Sequence, residues 1–137
     1  PRFLFLQGEQ AQAVGQLGET GPALENVEQL VARCEARDER WYLPELRRIK
    51  AELLLLQRSQ DGFGEIEALL LASLEEARRQ GALSWELRTA LSLARCWKDR
   101  RRGVEAGALL KSVHDRFTEG FATPDLRLAN TLLEGLS

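Results

Sequence analysis

Methionine is absent from the 137 residues and the chain begins at Pro1. As written it is not an intact translation product, so it reads as a piece of a longer protein. Histidine is nearly absent too: His114 stands alone, which leaves no histidine pair for a metal or a triad and points to the surface of a helix. The two cysteines, Cys34 and Cys96, lie far apart and form no CxxC spacing, so they read as small core residues. The longest apolar run, Ala68 to Ala72, falls far short of the roughly 20 residues that a spanning helix needs, and no signal peptide is recognisable. A cytoplasmic location without membrane contact is the expectation. Neither sign of charge dominates: 19 Lys and Arg face 21 Asp and Glu, for a net charge of -2 and a pI near 5.6. That balance gives no global pull toward nucleic acid.

What is present is helical periodicity, and 44% hydrophobic residues suffice for one domain with a core. Residues 2 to 17 read as a first helix, with Gly8 at a close helix-helix contact because glycine within a helix otherwise costs about 1 kcal/mol. A second helix is expected from Pro22 to about Ala36, with Leu24, Val27, Leu30, Val31 and Cys34 inward. A third spans Trp41 to about Gln57, with Pro44 tolerated in its first turn and Trp41, Leu46, Ile49, Leu53 and Leu54 as its stripe. Ser59 to Gly64 reads as the loosest loop. A fourth helix, Glu65 to Gln80, turns Ile66, Leu69, Leu70, Leu74 and Ala77 inward and stops at Gly81.

The fifth helix opens at Ser84 as N-cap and buries Ala90, Leu93, Ala94 and Trp97, and Arg100 to Arg102 with Gly103 end it. The sixth runs from about Val104 to Phe117, with Val104, Ala108, Val113 and Phe117 inward. Thr123, Pro124 and Asp125 have the form of an N-cap, a first-position proline and an acid, opening a last helix striped by Leu126, Ala129, Leu133 and Leu136.

Small and apolar positions recur at a fixed step. Gly8, Ala51 and Ala94 are 43 apart, as are Val31 and Leu74, and Cys34 and Ala77. A period of that length signals stacked helical hairpins. The expected division is one helical-repeat domain over 1-137, with hairpins at about 1-38, 39-81 and 82-121 and a terminal capping helix at 123-136.

Two stretches carry a family resemblance. Trp85-Glu86-Leu87-Arg88, Ser92-Leu93-Ala94-Arg95, Thr118-Glu119-Gly120-Phe121 and Thr123-Pro124-Asp125-Leu126 form the first. The second runs from Glu39-Arg40-Trp41-Tyr42 through Glu45-Leu46 to Ala51-Glu52-Leu53-Leu54. Together they resemble the C-terminal region of multidomain bacterial signalling proteins, in which a nucleotide cyclase or DNA-binding module precedes a STAND-type ATPase and an array of tetratricopeptide-like repeats. The resemblance implies an all-α, right-handed superhelix of about seven helices. The nucleotide-binding and catalytic motifs of such parents have no counterpart in this chain.

A search for chemistry within the chain returns little. Gly62-Phe63-Gly64 lacks the third glycine and the preceding strand of a phosphate loop. The acidic pairs Glu75-Glu76 and Glu65/Glu67 read as solvated helix faces, and Trp41, Trp85 and Trp97 as core packing. No enzyme activity, metal or cofactor is expected of this chain. Charge, however, alternates along it. Residues 40 to 58 carry five cations against two acids and residues 84 to 102 six against two, whereas 21 to 38 and 61 to 80 are acidic. In tetratricopeptide-like arrays the first helix of each hairpin lines the concave surface, so the resemblance implies a basic groove. Arg47, Lys50, Arg88 and Arg95 are its candidates for contacting an acidic peptide or domain. The alternative reading of the same charges is pairing across hairpins. Two other functions are open: sensing a small-molecule inducer, and homodimerisation through an exposed solenoid end at Phe3 to Leu6.

Overall fold

A computed structural model describes Gly8, Ala11 and Gln12, residues 19–57, 62–120 and 122–136. Among these residues there are α-helices and one 3-10 turn, and no strand. The helices are α1 (Thr20–Ala36), α2 (Leu43–Leu56), α3 (Phe63–Gln80), α4 (Leu83–Asp99), α5 (Gly103–His114) and α6 (Pro124–Leu136), with the 3-10 turn Arg40–Tyr42 leading into α2. Gly8, Ala11 and Gln12 are also helical and belong to the expected first helix, most of which lies outside the described residues. So do Ser59 to Asp61 of the expected loop and the apolar stretch Phe3 to Leu6, while Phe63 and Gly64, expected in that loop, already belong to α3.

The apolar stripes bury much as their spacing requires. Leu24, Val27, Leu30 and Cys34 of α1 are buried, as are Leu46, Ile49, Ala51 and Leu53 of α2 and Ile66, Leu70, Leu74 and Ala77 of α3. Pro44 sits at the start of α2, where its missing N–H has no helical partner to lose. Gly8 is a close contact, as its place in a helix suggested: a Cβ there would lie 2.9 Å from the ring of the fully buried Tyr42.

Several helix boundaries differ from the sequence reading, and at both ends of α4 the reason is that the backbone closes its turns without the side chain expected to do so. Gly81 adopts the left-handed conformation (φ 68°) and the Ala82 amide bonds the Ala77 carbonyl at 2.9 Å. α4 therefore starts at once, at Leu83, with Ala82 at the N-cap; Ser84 lies inside the first turn and caps nothing. At the other end of α4 the left-handed residue is Arg101 (φ 62°), and the Arg102 amide bonds the Trp97 carbonyl at 2.7 Å. Gly103 thus opens α5 and does not close α4.

That shift also rotates the face of α5. Ala106, Leu110 and Val113 are buried at steps of four and three, whereas Val104 is 90% exposed and Ala108 is exposed as well. Val104 lies about 200° around the helix from Ala106, so the two cannot share a face. α5 ends at His114, and Phe117 packs on the core from beyond its end. Thr123 accepts the first bond of α6 from the Arg127 amide (3.0 Å), and Leu126 and Ala129 are buried beneath it.

Each helix packs on the next in sequence, and α4 additionally touches α2 on one side and α6 on the other. Contacts at matched ends show that these three run parallel. Tyr42 and Asp125, at the starts of α2 and α6, meet Trp85 and Arg88 at the start of α4, and Lys98 near the end of α4 reaches Gly135 near the end of α6. α3 and α5 run antiparallel to them, since Glu76 and Gln80 near the end of α3 meet Arg40 before α2, and Arg116 beyond the end of α5 meets Glu86 at the start of α4.

Candidate interaction surface

The seam between α2 and α4 is built from residues 43 apart. Tyr42 and Trp85 meet edge to face with centroids 5.6 Å apart, and the Arg88 Nη1 donates to Glu45 Oε2 at 2.6 Å. Both pairs join positions one 43-residue step apart. Trp41 stacks beside Tyr42 at 5.0 Å, so the aromatics fill the top of the seam.

Beneath them a polar chain crosses successive helices. Gln12 accepts from Arg48 at 3.3 Å, Arg48 is paired with Glu45, Glu45 accepts from Arg88, and the Arg88 Nε lies 3.3 Å from Asp125 of α6. Glu45 is buried and Arg48 nearly so, so each charge needs the other. Other carboxylates are held the same way. Glu86, 1% exposed, accepts from Arg78 of α3 at 3.0 Å and from Arg116 beyond α5 at 2.8 Å. Ser73, fully buried, bonds the Pro44 carbonyl at 2.6 Å and the Thr89 hydroxyl at 2.7 Å, tying α3 to both neighbours.

Glu76 departs from the solvated face expected for it. It is buried and is paired with Arg40 at 3.2 Å and with Arg79. Burial by itself raises its pKa, but the hydrogen bonds from Arg40 and Gln80 and the charge of Arg79 outweigh that, and the net shift is downward. Glu67 also has a cationic neighbour, Arg102 at 3.1 Å, while Glu65 and Glu75 are exposed.

The four basic candidates do not gather at one place. Arg88 is engaged by Glu45 and Asp125 and stands 6.0 Å from the Trp85 ring. Lys50 turns toward α1, 3.7 Å from Glu28. Arg47 is half-buried and lies about 200° around α2 from Glu45, so it faces away from the α2–α4 seam. Arg95 lies two turns below Arg88 on the same stripe of α4 and is exposed. The sequence reading missed Glu45, Arg48 and Asp125 as the groups that occupy this seam. Their signal was available, since Glu45 and Arg88 share the 43-residue spacing already visible at Ala51 and Ala94.

Burial, and next the charge of Glu52, push the Cys96 thiol up to about 11. Burial, followed by Glu39, likewise raises Cys34. No group of three or more metal-ligating side chains occurs among the described residues, and none of their helices is long and apolar enough to cross a membrane. No family model, curated protein or solved structure matches the chain.

Proposed function

We propose that the chain is a non-catalytic interaction module, a tetratricopeptide-like right-handed superhelix that presents a rigid surface to another protein or to another domain of a longer signalling protein. One observation carries this reading: Tyr42 with Trp85 and Glu45 with Arg88 join residues 43 apart, so α2 and α4 meet through positions that correspond in the 43-residue step. Stacking of that kind yields an extended face lined by equivalent helices, here α2, α4 and α6, which is the surface such arrays use for recognition. The likeness to the C-terminal arrays of cyclase-linked and transcription-regulating ATPases makes the regulated module of the parent the nearest candidate for a partner.

The test is capture of partners from extract on the immobilised full chain, followed by titration of each purified partner. Saturable binding of a defined protein supports the module; recovery of nothing beyond what a denatured chain recovers would sink it. Variants for this purpose are chosen at Arg95 and Arg47, because Arg88→Glu would set a third acid against Glu45 and Asp125 and disturb the fold.

A further inference from the structure

The 43-residue spacing places two charged rungs across the α2–α4 seam. The upper one, Glu45 with Arg88, is closed at 2.6 Å. The lower one pairs Glu52 with Arg95, two helical turns or about 10 Å further on, and it is open. Arg95 is exposed, Glu52 is half-buried, and neither has a hydrogen bond or ion pair among the described residues. The chain itself shows what the α4 stripe accepts, because Glu45 and Asp125 both seat carboxylates on Arg88 from the flanking helices.

Apolar surface lies beside the open rung. Leu56 is one turn beyond Glu52 on the same face of α2 and is 46% exposed. Leu128 follows Asp125 by three residues and is 45% exposed; the pairing of Asp125 with Arg88 and of Gly135 with Lys98 sets it level with Leu91, about one turn before Arg95. A cation flanked by leucines suits a peptide that carries a carboxylate next to apolar side chains.

We propose that Arg95 is the anchor of a docking site for an acidic, leucine-containing peptide segment of the partner, whose carboxylate repeats at the lower rung what Glu45 does at the upper. This rests on the interaction reading above. Lys98, exposed and one turn on, adds attraction, while Glu52 opposes the incoming charge and restricts the site to segments whose apolar groups also fit.

The probe is a labelled, end-blocked peptide alternating glutamate and leucine, titrated by fluorescence anisotropy against the full chain, with a glutamine–leucine peptide as control. Arg95→Glu should weaken binding about tenfold or more, Arg95→Ala by somewhat less, and Glu52→Gln should tighten it about twofold. Arg37→Glu, exposed just past the end of α1, should leave it unchanged, and circular dichroism should be the same for all four. Equal affinity of wild type and both Arg95 variants, equal affinity for the glutamine peptide, or no binding of the acidic peptide overturns the docking site. In any of those cases a partner captured equally by wild type and Arg95→Glu leaves the interaction module standing, and only the absence of every partner removes both.

Discussion

Three residues set opposite signs on substitutions that look alike. A Cβ at Gly8 would meet the Tyr42 ring at 2.9 Å and Leu46 at 3.3 Å, and Tyr42 is fully buried, so the ring has nowhere to go. Gly8→Ala gains about 1 kcal/mol of helix propensity and loses about 1–3 kcal/mol to overpacking, for a net loss that should lower the Tm. Gly107 lies inside α5, where a Cβ would meet only Leu136 at an ordinary 3.9 Å. Gly107→Ala should therefore stabilise by about 0.5–1 kcal/mol in a thermal melt. Arg101 holds φ at 62°, a position that glycine fills without strain, so Arg101→Gly should raise the Tm by a degree or more, equivalent to about 0.5–1 kcal/mol. At the same scale, both cysteines are buried and raised in pKa. Neither thiol should react with a disulfide reagent at neutral pH until the chain is unfolded, when both should.

Between elements, the buried carboxylates differ in what their removal leaves behind. Glu45→Ala strands Arg48, which is itself 7% exposed, and should cost about 3 kcal/mol in denaturant unfolding. Glu86→Ala frees Arg78 and Arg116, each about half exposed and able to rehydrate, so the loss should be nearer 1 kcal/mol. Glu76 adds a pH dependence. Its folded pKa is depressed, so its contribution is fully present above the ordinary glutamate pKa and is lost as pH falls from there through the lower folded value. Glu76→Gln should flatten the acid limb of the stability profile below the ordinary glutamate pKa, as read from urea midpoints followed from neutral pH well into that limb.

Much of this level was legible in the sequence. Apolar spacing placed all six described helices, and the turn residues Gly81 and Thr123-Pro124 marked two boundaries where the structure has them. The face of α5 was not legible, because its weak stripe could be started at Val104 or at Ala106 and only the turn at Arg101 decides which. The basic groove was half legible: composition gave the excess of arginine on α2 and α4, but not that Arg88 and Lys50 would be spent on Glu45, Asp125 and Glu28. A count of charges carries no angle around a helix, and an angle is what separates Arg47 from Arg95.

Among the described residues each helix leans chiefly on its neighbours, and the contacts across an intervening helix join the first helix to α2 and join α2 and α6 to α4. Damage should therefore stay local. Leu126→Ala, which opens a space under α6, should speed amide hydrogen exchange in α6 and the adjoining faces of α4 and α5 while leaving α1 protected. Uniform acceleration along the chain would instead indicate a single cooperative block.

The matched spacing of Tyr42 with Trp85 and of Glu45 with Arg88 also governs where the chain can change length. Only Gly81 and Ala82 separate α3 from α4, and both are committed to closing that turn. One residue inserted there would have no slack to absorb it, and every side chain of α4 would be carried about 100° away from its counterpart on α2. A single residue added at that turn should thus pull the Tyr42–Trp85 and Glu45–Arg88 pairs out of step and lower the Tm.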